Sequence, residues 1–173
     1  MKIKKFRLLL FVFLFLCFFT PGCSSDASTP DIPLPDLGVK VYEFNKRLHL
    51  SRLEGPKRVF RNEEDISLLI ENLGNEDIAF PVDYGLQLFL YSDNNWVKIR
   101  QLVEYPLVNP NDLLPIPPSK GDLRRMGYPI ISPYFPGLKK RTPMRVFVIG
   151  SVYKNGKITD ERVGAYMDAF LEP

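Results

Sequence analysis

Apolar and polar positions alternate along this chain in short runs, and no segment carries the i, i+3, i+4, i+7 stripe of a surface helix. Period two appears at Val39 and Val41, at Leu48 and Leu50, at Ile66, Leu68 and Ile70, and at Ile78, Phe80 and Val82. Leu86, Leu88 and Leu90 alternate with Gln87, Phe89 and Tyr91, and Ser92-Asp-Asn-Asn95 then leads into Trp96-Val-Lys-Ile-Arg100. That pattern predicts a β-hairpin with one face buried. A second hairpin is predicted near the end, where residues 144–153 run into Lys154-Asn155-Gly156-Lys157. Asn-Gly supplies the positive φ angles that a two-residue type I′ turn requires. The return strand, 162–171, mixes Val163, Ala165, Met167 and Ala169 with Gly164, Tyr166, Asp168 and Phe170, as expected of a partly covered edge.

Between the hairpins, residues 105–143 hold nine of the 16 Pro. Proline has no amide to donate, so long connections are expected there, with one short strand around 126–131. The sum is an all-β fold of about seven to eight strands, an antiparallel sandwich over residues 39–173.

The first 23 residues follow a different rule. Lys2, Lys4, Lys5 and Arg7 precede an uncharged apolar run from Leu8 to Phe19, and Thr20-Pro21-Gly22-Cys23 follows. A basic start, about a dozen apolar residues and a small-residue exit is the layout of a secretory signal peptide, too short to span a bilayer. Residues 20–23 resemble the lipobox of bacterial lipoproteins, with Gly22 before the Cys, while Thr20 and Pro21 depart from the usual Leu-then-small pattern. The resemblance implies cleavage between Gly22 and Cys23, a diacylglycerol on the Cys23 sulfur, and an exported, membrane-anchored protein. Its place would be the outer face of the cytoplasmic membrane, or the outer membrane where the cell has one. The other reading is an ordinary signal peptide cut nearby, for instance after Ala27.

Composition changes meaning once that segment is set aside. The formal charge of +3 comes from 23 basic and 20 acidic residues; without the four at the start, 19 face 20 and the net is −1. Such a balance argues against a nucleic-acid partner. Of the two Cys, Cys17 lies inside the apolar run and Cys23 is the proposed lipid carrier, so a disulfide-free domain is expected. Residues 23–38, with three Pro and no aromatic side chain, have the composition of a tether about 45 Å long if extended as polyproline II.

The segment 65–100, an Asp-Ile-Ser-Leu-Leu-Ile-Glu-Asn strand followed by a strand pair with the single Trp, resembles bacterial immunoglobulin-like domains of exported proteins. It lacks the Cys pair of antibody domains, and such folds carry many functions.

Candidate chemistry is sparse. Ser92-Asp93-Asn94, Ser151-Val-Tyr-Lys154 and Lys154-Asn155-Gly156 echo the signatures of penicillin-binding enzymes, but in the wrong order and sharing one Lys. His49, the only His, sits between Leu48 and Leu50 on a strand pattern and is expected at the surface. Glu63-Glu64-Asp65 lacks the Asp-x-Asp spacing and Gly turn of a calcium loop. Trp96 is expected in the core. The one cluster with binding character is Arg124, Arg125, Tyr128, Tyr134, Phe135, Lys139, Lys140 and Arg141, where Pro-framed rings alternate with cations. The expectation is a non-catalytic envelope-binding module for a protein or envelope polymer, with no cofactor, no metal and no catalytic residue. The alternatives are a glycan-binding domain and a small carboxylate-dependent hydrolase or enzyme accessory subunit.

Overall fold

The computed structural model describes residues 32–105, 113–118 and 126–173, and every regular element among them is a strand. They are β1 (Glu43–Phe44), β2 (Leu48–Arg52), β3 (Val59–Arg61), β4 (Ile66–Asn72), β5 (Asp77–Phe80), β6 (Gln87–Ser92) and β7 (Asn95–Lys98). Then follow β8 (Arg100–Gln101), β9 (Leu114–Ile116), β10 (Met126–Gly127), β11 (Ile130–Ile131), β12 (Pro133–Tyr134), β13 (Thr142–Lys154) and β14 (Lys157–Glu172). The lipobox residues, Arg124 and Arg125 lie outside the described residues.

Both predicted hairpins form. Asp93 and Asn94 take φ of 52° and 61°, and Asn155 and Gly156 take 51° and 75°, the paired left-handed geometry that matches strand twist. The second hairpin is the spine of the molecule: β13 and β14 pair antiparallel from Thr142↔Leu171 to Lys154↔Lys157, with one irregularity between Ser151 and Tyr153. The strands number more than expected, partly because β1, β3 and β8 are short elements outside the Pro-rich stretch, and partly because that stretch contributes four short ones where one was expected. Its prolines are accommodated where pairing is brief: Pro115 in β9 faces Ala79 across β5, and Pro133 in β12 faces Gln101 across β8.

The far side of β13 is shared. Its first half pairs with β6, Met144↔Leu90 through Phe147↔Gln87, and its last residues pair with β5, Ser151↔Ala79 through Tyr153↔Asp77. The chain from β5 to β6 therefore bends across the gap, where the Ile149 amide donates to the Tyr84 carbonyl at 3.2 Å. Gly85 is required at that bend: its φ is +58°, and a Cβ would lie 2.3 Å from the Ile149 carbonyl oxygen. The other edge of β14 carries two short parallel partners, β1 and β3, so the partly covered edge read from its mixed faces is present.

A second sheet places β2, β10 and β11 on β4. Directly paired residues share a face, so Met144, Val146, Val148, Val163, Ala165, Met167, Leu88 and Leu90 of the large sheet meet Leu48, Leu50, Ile66, Leu68 and Ile70 of the second in one core. Asn72, fully buried at the end of β4, donates to the carbonyls of Glu76 at 2.7 Å and Ile116 at 2.9 Å and accepts from the Gly74 amide at 3.0 Å. The bonds to Glu76 and Gly74 close the β4–β5 turn and the bond to Ile116 ties it to β9, so the amide is left without a polar orphan.

The first hairpin departs from expectation in one respect. Phe89 is as buried as Leu88, because the opposite face of the large sheet is covered too. Residues 32–44 run over that outer face. Ile32 and Pro35 are buried, and Phe44 of β1 packs edge-on against Phe147 with ring centroids 5.7 Å apart. Composition reads residues 32–38 as tether; in the folded unit they form a strap held by backbone carbonyls, a role that composition does not encode.

Candidate functional site

The described members of the aromatic and basic cluster of the Pro-rich stretch are divided between β12 and the connections before and after it. Tyr128 lies between β10 and β11, with its hydroxyl 3.8 Å from the Met126 sulfur. Tyr134 pairs with Arg100 across β12 and β8. Phe135 packs against the core, and its amide donates to Asn62 Oδ1 at 2.9 Å while its carbonyl accepts from Asn62 Nδ2 at 3.2 Å. Arg141 stacks on Phe170 at 4.2 Å and lies 3.9 Å from Glu172. Lys139 and Lys140 are exposed. Phe135 and Arg141 thus have structural partners of their own.

The outer face of the large sheet holds a denser constellation. Register places Arg145, Phe147, Ile149 and Ser151 of β13 beside Asp168, Tyr166, Gly164 and Arg162 of β14, with Phe89 and Gln87 of β6 on the other flank. Phe147 contacts Phe44, Phe89 and Tyr166 with centroids 5.5 to 5.7 Å apart. Gly164 leaves room for Phe44, whose ring would meet a Cβ at 2.7 Å. In this layer Arg145, 4% exposed, pairs with Asp168 at 2.5 Å and lies between Trp96 at 5.0 Å and Tyr166 at 4.7 Å. The Ile32 carbonyl accepts from Arg145 Nη1 at 3.3 Å, and the Pro33 carbonyl accepts from the Trp96 indole at 2.6 Å. Trp96 is therefore not a core residue: it is partly exposed on the outer face, clamped beneath the strap. Burying a guanidinium is costly unless its donors are met, and here an acid, two rings and a backbone carbonyl meet them. Sequence reasoning missed this site, although a single Arg inside the apolar run Met144 to Ile149 was its visible signal.

Beyond the strap the same face opens into a groove of about 480 Å³. Its floor is small, with Ala79, Gly150 and Ser151, and its sides are Pro81, Leu86, Val39 and Ile158. The polar groups are Asp83, Gln87, Lys98 and Arg162. Asp83 Oδ1 accepts from the Gly85 amide at 3.0 Å, and Lys98 donates to Gln87 Oε1 at 3.3 Å. A neighbouring hollow of about 370 Å³ shares Ser151, Ile158 and Arg162 and adds Lys40, Tyr42 and Asp160. His49 is exposed on β2, away from the β5, β6, β13 and β14 residues that build the groove. Ser151 and Lys154 lie on β13 up to its turn, with Lys154 2.6 Å from Glu76, and Glu64 accepts from the Arg61 amide at 3.0 Å.

No protein-family model and no curated protein matches the sequence. Among solved structures, the chain is similar to AvmM, which catalyses macrocyclization in alchivemycin A biosynthesis, at 12% identity over 75% of this chain and 89% of that one, with a TM-score of 0.35. At that score the similarity carries no argument about fold or chemistry.

Ion pairs brace the end of the molecule near the groove. Arg47 bonds Glu43 and Glu161 and reaches Glu76 at 3.4 Å. The hydrogen bond from Arg47 holds the Glu161 carboxyl below its ordinary value of 4.5. Tyr105, half-buried, donates to the Ile130 carbonyl at 2.8 Å and accepts from the Ile130 amide at 3.0 Å, and burial raises its phenol above the ordinary 10.0.

Proposed function

We propose that this chain is an exported lipoprotein, anchored through a diacylglycerol on Cys23, whose domain is an immunoglobulin-like β-sandwich serving as a non-catalytic binding module of the cell envelope. The observation that carries the reading is the order Lys2 to Arg7, Leu8 to Phe19, then Gly22-Cys23, ending shortly before the buried Ile32. A core shared by two sheets supports the sandwich. The strap shortens the leash: nine residue-to-residue steps separate Cys23 from Ile32, and extended backbone covers at most about 3.5 Å per step, so the leash is about 30 Å rather than 45 Å. Two or three acyl chains at Cys23 give firm anchoring where one is marginal.

The test is detergent phase partition of the full chain made in a bacterial host. The parent is expected in the detergent phase, and Cys23→Ser is expected in the aqueous phase or as an uncleaved precursor. Equal partition of the two removes the anchor. For the binding role, native membranes are solubilised and co-purifying material is identified; loss of recovery on replacing Tyr134 and Lys139 together supports the Pro-rich cluster. Phe135 is left intact because its removal would damage the core.

A further inference from the structure

We propose that the open half of the outer face binds an acidic saccharide, with Arg162 receiving its carboxylate and Tyr42 supplying the ring on which a sugar face stacks. This deepens the binding-module reading by naming a site and a ligand class. The two adjoining hollows share Ser151, Ile158 and Arg162, and each is of a size that takes a small ligand.

Charge decides the sign of the ligand. Lys40, Lys98 and Arg162 stand against Asp83 and Asp160, three cations to two carboxylates. Lys98 is held by Gln87, and Lys40 lies over the Tyr42 ring at 5.3 Å. The Arg162 guanidinium is exposed and has no ion pair among the described residues. A planar fork of donors suits a carboxylate better than a point charge does.

The remaining groups decide between ligand classes. Tyr42 is 59% and Ile158 50% exposed, leaving apolar surface at the rim beside the cation. Tyr42 and Arg162 are adjacent, since the Tyr42 amide donates to the Arg162 carbonyl at 2.9 Å. On the floor, the Ser151 hydroxyl has no hydrogen bond among the described residues and is available to a ligand hydroxyl. A peptide adding itself as a strand is disfavoured, because β13 is already paired with β14 on one side and with β5, β6 and the Tyr84 carbonyl on the other. A ring with one acidic group and several hydroxyls uses the whole set.

The experiment is calorimetric titration of the full chain in detergent with digalacturonate, with the neutral digalactose of the same linkage, and with inorganic phosphate. The acidic disaccharide is expected to bind at least tenfold tighter than either comparator. Arg162→Ala should weaken it at least tenfold and Tyr42→Ala at least threefold. Ser151→Leu, which fills the floor without touching charge, should abolish binding. Trp96 emission identical to the parent shows that each variant keeps its strap. Equal affinity of Arg162→Ala and parent overturns the proposal, as does phosphate binding as tightly as the disaccharide, or no binding of digalacturonate. A chain that fails to partition through Cys23 but binds digalacturonate removes the anchor and supports this site; an anchored chain that captures a partner but takes no acidic sugar removes this site alone.

Discussion

Replacing Asp168 with Asn removes the charge that Arg145 pairs with while preserving shape. The guanidinium then stays under the strap, its side chain 5% exposed, with only rings and the Ile32 carbonyl for company. Breaking one partner of a buried pair costs about 3–5 kcal/mol. Asp168 is 21% exposed, which places the cost near about 3 kcal/mol. For a domain of this size that is a fall in Tm of about 10 °C. Replacing both residues, Arg145→Met with Asp168→Leu, should return stability to within about 1 kcal/mol of the parent, because a packed apolar pair needs no desolvated charge. The assay is urea unfolding followed through Trp96, the only Trp, whose ring lies 5.0 Å from the guanidinium. The reasoning is refuted if Asp168→Asn costs less than about 1 kcal/mol and the double variant loses the sum of the singles.

Four further outcomes follow from the geometry. Ile32→Asp should release the strap, costing about 2–3 kcal/mol from lost burial and a buried charge, and should shift Trp96 emission to the red; unchanged emission would show that the strap does not depend on Ile32. Gly85→Ala should cost about 2 kcal/mol or more, because its Cβ strikes a backbone oxygen at positive φ, whereas Gly137→Ala, also at positive φ but in open space, should cost about 1 kcal/mol in the same urea series. In pH-dependent unfolding, Tyr105 favours its neutral form in the fold, so its contribution is full below pH 10.0 and is lost as pH rises toward the raised value; Tyr105→Phe should flatten that alkaline limb. Glu161 acts in the opposite direction: its stabilisation is present above 4.5 and fades as pH falls through the lowered value, so Glu161→Gln should flatten the acid limb.

Much of the strand content was legible because each element announces itself locally. Asn155-Gly156 needs only its own dihedrals to make a turn, and Ile66, Leu68 and Ile70 need only alternate to define a buried face. The Pro-rich stretch was under-read. A missing amide forbids central pairing but permits two- and three-residue strands at edges, and β9 to β12 are of that kind. The candidate site was harder to see. Arg145 and Asp168 are 23 residues apart, Trp96 is 49 residues before Arg145, and Ile32 is farther still; nothing in their spacing joins them.

Alternation by itself determined that this chain is built of strands, that 144–153 folds back through Asn155-Gly156, and that one face of each strand is apolar. Tertiary structure decided what covers the other face. A strand's period of two says that opposite faces exist, and it is silent on which meets solvent. That choice came from a Pro-rich segment whose backbone carbonyls, groups every residue carries and no composition reveals, found the indole of Trp96 and the guanidinium of Arg145. Where the strap ends, at Val39, the same face opens as the groove.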